Sequence, residues 1–114
     1  MALIHAEDEL SDLVAQIEET GWYLLTELSG QIAVIGIGRR ALQIGSSTAS
    51  HIRVRNADVL VKHAVLSTAE PDVMISNASH APVYVNGRRN RNVALNHRDT
   101  IRIGEIEFVV VEKR

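Results

Sequence analysis

The sequence predicts an all-β sandwich, on three observations. Short runs rich in Val and Ile recur from Trp22 to the end of the chain. Turn signals separate them: Ser29-Gly30, Arg55 to Asp58, Glu70 to Asp72, Asn86-Gly87, Asn96 to Asp99, and Gly104. After residue 20 there is no helical periodicity and no internal repeat. Many short strands with frequent punctuation read as a sandwich or a barrel.

The first segment, residues 1–20, differs from the rest. Leu10, Leu13, Val14 and Ile17 fall on one face at helical spacing. Glu7, Asp8, Glu9 and Asp12 crowd the first turns, where the helix dipole favours anions, and Gly21 follows as a stop. This predicts a short acidic amphipathic helix ahead of a β domain over 21–114. The helix is read as a cap on the domain, a partner- or dimer-binding segment, or a mobile tail.

The runs then come in order: WYLLTEL, QIAVIGI, ALQI, HIRV, HAVLSTA, DVMIS, VYVNG, TIRI and EIEFVVVE. HIRVR and TIRIG alternate strictly, so each is expected to have one buried and one wet face. FVVV does not alternate, which places it between two covered faces. Asn86-Gly87 supplies the residue pair of a tight hairpin, so NGRRNRN over 86–92 reads as a solvated tip. Its arginines lack the interleaved aromatics of a base-stacking surface.

Composition narrows the function. The 114 residues amount to one domain, 46% hydrophobic and 23% charged, with a formal net charge of −2. That balance gives no electrostatic drive toward nucleic acid or an anionic membrane. The absence of cysteine removes disulfides, thiolate catalysis and Cys-ligated zinc. No apolar run approaches the roughly 18–20 residues of a membrane span. MALIHAEDELSDL lacks the features of a secretory signal, so cytosol or nucleus is expected. The ending on EIEFVVVEKR reads as a domain taken from a longer chain.

Catalytic and cofactor signals are missing. His5, His51, His63, His80 and His97 show no i, i+4 pair, so no metal site is expected. There is no P-loop and no G-x-S-x-G elbow, and GIGRRA over 36–41 lacks the third glycine of a dinucleotide fingerprint. No enzyme and no cofactor are expected.

Four motifs remain, in a fixed order: IGSS over 44–47, VLVKHA over 59–64, SHAPVYVNG over 79–87, and DTIRIGEIEF over 99–108. Together they resemble the forkhead-associated, or FHA, family over residues 22–112. That resemblance implies an FHA-type sandwich of about eleven antiparallel strands that reads phosphothreonine in partner proteins. The structural framework fits: Gly45, His63 with Ala64, Asn86 with Gly87, then Asp99, Ile101, Ile103 and Gly104. His97 and Arg98 stand where that loop usually carries a glycine.

The ligand-reading positions depart from the family pattern. Ser46 replaces the arginine that comes after the glycine, and the IGR over 37–39 lies too early to supply it. Leu60 replaces the serine three residues before the histidine, and Val61 the basic residue after it. Ala81, Pro82 and Val83 replace Asn-Gly-Thr. The resemblance therefore implies a degenerate phosphothreonine site, with Lys62 and His80 the nearby groups able to compensate. Within the family, the N-terminal FHA domains of mediator of DNA damage checkpoint proteins are most similar, in their acidic leading stretch and glycine-to-histidine spacing.

The resemblance and its departures together imply a non-catalytic interaction module, homodimeric, in a nuclear DNA damage or telomere-maintenance adaptor. Trp22, Leu24, Leu25 and Val34 lie either at the dimer contact or in the core. Two other readings compete. One is a working phosphopeptide reader using Lys62, His80 and Ser46 or Ser47. The other is an FHA-like component of a secretion basal body.

Overall fold

The computed structural model describes residues 7–28, 30–38, 40–55, 59–60, 62–69, 72–77 and 82–114. One helix, α1 (Glu7–Gln16), precedes eleven strands. They are β1 (Gly21–Leu28), β2 (Gln31–Ile37), β3 (Leu42–Gly45), β4 (Ile52–Arg53), β5 (Ala64–Ala69) and β6 (Asp72–Asn77). Then come β7 (Val83–Val85), β8 (Arg88–Asn90), β9 (Asn92–Leu95), β10 (Thr100–Ile103) and β11 (Ile106–Lys113). They build a six-stranded sheet in the order β2-β1-β11-β10-β7-β8 and a five-stranded sheet in the order β4-β3-β5-β6-β9.

Alternation along the strands decides what lies between the sheets. Leu24 pairs with Val110 across β1 and β11, and both point inward with Phe108, Ile101 and Ile103. From the other sheet Ile44, Leu66, Val73 and Ile75 complete the core. The expected two-sided burial of FVVV is present. Phe108 and Val110 join this core, while Val109 and Val111 turn to the opposite face.

That opposite face is covered by α1. Leu10 is buried against Leu25, Val109 and Val111, and Leu13, Val14 and Ile17 pack around them. The helix therefore caps the outer face of the six-stranded sheet, by the same apolar stripe that its spacing predicts. Arg98 donates to the Ser11 hydroxyl at 3.0 Å and Lys113 to the Ala15 carbonyl at 3.5 Å, tying both halves of the helix down.

Two features depart from the sequence expectation. β3 and β4 run parallel, with Ile44 opposite Ile52, so the sandwich is not wholly antiparallel. The basic stretch forms a strand rather than a bare tip. Asn86 (φ 52°) and Gly87 (φ 81°) make a two-residue turn with both angles positive, which folds β8 back onto β7. Backbone pairing, rather than an apolar face, carries β8, so hydrophobic alternation does not reveal it.

Candidate functional site

The loops joining β3 to β4, β4 to β5 and β6 to β7 meet around one buried side chain. His63 is 0% exposed. Its Nδ1 accepts the Leu60 N–H at 3.1 Å, so the ring proton sits on Nε2, which donates to the Pro82 carbonyl at 2.7 Å. One imidazole thus joins the β4–β5 loop to the β6–β7 loop. The His63 N–H donates to Ile44 and the Ser46 N–H to Leu60, each at 2.9 Å, which adds the end of β3 to the same frame. The frame contains no unsatisfied buried side-chain polar atom among the described residues.

Gly45 is buried at the end of β3, where its carbonyl accepts the Val54 N–H at 2.9 Å. Ser46 comes next, half-buried. Leu60 lies opposite it and is 48% exposed, one of two large apolar side chains so exposed among the described residues. Lys62 is exposed. Val61, His80 and Ala81 lie outside the described residues. The structure therefore brings Ser46, Leu60 and His63 together, Ser46 to Leu60 by a backbone bond and Leu60 to His63 through the imidazole, with the Leu60 side chain exposed.

One cation here was not singled out from the sequence. Arg53, on β4, donates from Nε to the Ser46 carbonyl at 3.1 Å. The strict alternation of HIRVR was its signal: Ile52 and Val54 are buried, so Arg53 and Arg55 face out. Ser47 is engaged locally, its hydroxyl accepting the Ala49 N–H at 3.1 Å.

A second junction fixes the other framework residues. Asn86 Nδ2 donates to Asp99 Oδ1 at 3.0 Å, and Asn86 Oδ1 accepts the Thr100 N–H at 2.9 Å. Asp99 Oδ2 accepts the Asn96 N–H at 2.7 Å. His97 accepts the Glu112 N–H at 2.8 Å. These bonds hold the β7–β8 turn against the β9–β10 loop, and both Asn86 and Asp99 are spent on architecture.

The four apolar residues named as dimer contacts separate cleanly. Leu24 and Leu25 are fully buried, on opposite faces of β1, one in the inter-sheet core and one under α1. They offer no surface to a partner, so of the two alternatives the core holds for both. Trp22 packs partly buried against the main core. Val34, in the middle of edge strand β2, is 48% exposed.

Among the described residues no group of three His, Asp or Glu side chains is placed to hold a metal ion, and no helix is long and apolar enough to cross a membrane.

Comparison with known proteins agrees with this geometry. A family model described as the FHA domain matches residues 37–104. The FHA domain of the CT664 protein from Chlamydia trachomatis has a TM-score of 0.74 and 18% identity, over 82% of this chain and 98% of that one. An FHA domain studied for phosphothreonine-dependent interactions has a TM-score of 0.72 and 21% identity, over 83% of this chain and 99% of that one. EmbR of Mycobacterium tuberculosis, in complex with a low affinity phosphopeptide, has a TM-score of 0.71 and 27% identity, over 91% of this chain and 28% of that one. No curated protein sequence matches. The family match spans Gly45, His63 and Asn86, and the two-sheet fold is shared with the FHA structures: the chain belongs to the FHA domain family.

Proposed function

We propose that this FHA domain is a non-catalytic protein-interaction module that does not read phosphothreonine at its loop end. One observation carries this reading. The position expected to hold a phosphate-binding arginine is Ser46, its N–H is bonded to Leu60, and the Leu60 side chain stands half exposed beside it. A phosphate dianion needs charge-assisted donors to replace its water. A serine and a leucine supply neither a charge nor enough donors. Each missing polar contact costs about 1–3 kcal/mol, so two or three of them remove micromolar binding.

Self-association then supplies the interaction. Strand β2 is an edge strand of seven residues, QIAVIGI, with no charge and no proline. The other edge of its sheet, β8, carries Arg88 and Arg89. Edge strands left unprotected pair with another strand, and a two-fold axis at Val34 pairs β2 with itself antiparallel. The acidic leading stretch and the glycine-to-histidine spacing, which resemble those of the N-terminal FHA domains of mediator of DNA damage checkpoint proteins, support placing the dimer in a nuclear DNA damage or telomere-maintenance adaptor. Light scattering over a dilution series tests the reading. A dimer that persists on dilution, with no capture from a phosphothreonine peptide library, is the expected result. A monomer that captures such peptides contradicts it.

A second reading has an observation of its own. Arg53 holds its guanidinium against the Ser46 carbonyl, so one cation stands beside the position expected to hold arginine, and Lys62 is exposed two residues after Leu60. The phosphopeptide complex of EmbR supports this alternative, in which these groups rebuild an anion site.

A further inference from the structure

A cleft of about 450 Å³ opens between the two sheets beside β4. Phe108, Ile35 and Ile106 line it from the six-stranded sheet, and Ile52 of β4 and Val54 just beyond it from the other side. The hydroxyl of Thr26, the one uncharged polar side chain in its lining, already donates to the Glu107 carbonyl at 2.8 Å. The interior is thus apolar and self-satisfied. No acidic residue lines it, and its two charged lining residues are Arg53 and Arg55, both exposed.

β4 is also the edge of its sheet. It pairs with β3 in parallel, Gly45 opposite Arg53, and Val54 N–H donates to the Gly45 carbonyl. Backbone groups alternate along a strand, so the Arg53 N–H and C=O point away from β3, on the unpaired edge of the sheet. Arg53 is anchored through Nε alone, which leaves its Nη donors unengaged among the described residues, and Arg55 makes no ion pair there. Arg53, the last residue of β4, and Arg55, two residues on, are both exposed and flank the buried Val54.

We propose that this edge binds an extended, unphosphorylated acidic segment of another protein, in the pattern acidic–apolar–acidic. The segment pairs with β4 as an added strand. Its central apolar side chain points inward with Ile52 and Val54 and enters the cleft. Its two flanking carboxylates point outward and meet Arg53 and Arg55, in the bidentate geometry guanidinium groups favour. The alternation that buries Ile52 and Val54 sets that order: a segment with adjacent acids, or with a polar centre, loses either the cleft or the arginines. The site lies beside the loop end, uses no phosphate, and holds whether or not the domain dimerises.

The test is a two-dimensional NMR titration of the whole domain with the unmodified peptide Gly-Ser-Glu-Phe-Glu-Ser-Gly. Two control peptides carry Ser for Phe, or Lys for both Glu. Saturable shifts at Ile52 to Arg55, Ile35 and Phe108 are expected, weakened about tenfold or more by either peptide change and by Arg55→Glu. The double variant Arg53→Glu, Arg55→Glu should bind no detectable peptide while keeping the dispersed spectrum of the folded domain. Absence of shifts at about 2 mM peptide, shifts confined to Ser46, Ser47 and Leu60, or equal binding by the Ser-centred peptide would each overturn the proposal.

Discussion

The N–H of Ser46 donates to the carbonyl of Leu60 at 2.9 Å, so the two residues proposed to stand in place of the family's phosphate ligands are joined directly across the loop end. The bond is backbone to backbone. On the proposed reading, the frame can present an arginine and a serine, and the side chains alone withhold them. This separation of scaffold from ligand chemistry governs how the domain should respond to substitution.

Restoring the side chains should restore some binding. Ser46→Arg with Leu60→Ser returns a guanidinium and a hydroxyl to a frame whose backbone bonds do not depend on them. Phosphothreonine peptide affinity should rise by about tenfold or more over the parent. Fluorescence anisotropy against the phosphorylated and unmodified forms of one peptide measures the gain, which should appear for the phosphorylated form alone.

Removing the brace should cost stability instead. His63→Ala leaves the Leu60 N–H and the Pro82 carbonyl without partners and opens a cavity at a fully buried position. The expected loss is about 2–4 kcal/mol, read as a lower urea midpoint with an unchanged slope. A shift below about 0.5 kcal/mol would show that the imidazole is not what joins these loops.

Asn86 should separate backbone strain from hydrogen bonding. At φ 52° an alanine is strained, and it also loses the bonds to Asp99 and Thr100. Asn86→Ala is expected to cost about 1–3 kcal/mol, and Asn86→Gly less, since glycine accepts the positive φ. Thermal unfolding of the two variants side by side gives the difference.

The helix should behave as part of the domain. Leu10→Ala removes a buried side chain from the cluster with Leu25, Val109 and Val111. A cost of about 2–3 kcal/mol is expected, with faster hydrogen exchange along α1 before the β core opens. Unchanged exchange would mean that the sheet face is covered without the helix.

Much of this architecture was legible in the sequence, and for identifiable reasons. The stripe Leu10, Leu13, Val14, Ile17 predicted a helix and the face it buries. The unbroken FVVV predicted a strand covered on both sides, because only burial on two faces tolerates such a run. Asn86-Gly87 predicted the turn. Leu24 and Leu25 were ambiguous because neighbouring residues of a strand point to opposite faces, and one face was covered by a helix whose docking the sequence does not specify. β8 was hidden because arginines carry no apolar period. Arg53 did not stand out as a site residue because its bond to Ser46 is a tertiary contact, while HIRVR by itself reads as an ordinary half-buried strand. The parallel pairing of β3 and β4 likewise depends on how the loop between them crosses, which local pattern does not encode.

The central claim is that the loop end holds no phosphothreonine. Its most direct test is titration of the unaltered domain with a matched pair of peptides, phosphothreonine against threonine, drawn from the strongest sequences in a library. No phosphate-dependent binding is expected up to about 1 mM. Phosphate-dependent binding at low micromolar concentration, lost on Lys62→Ala or Arg53→Ala, would contradict the claim and would show that those cations have rebuilt the site.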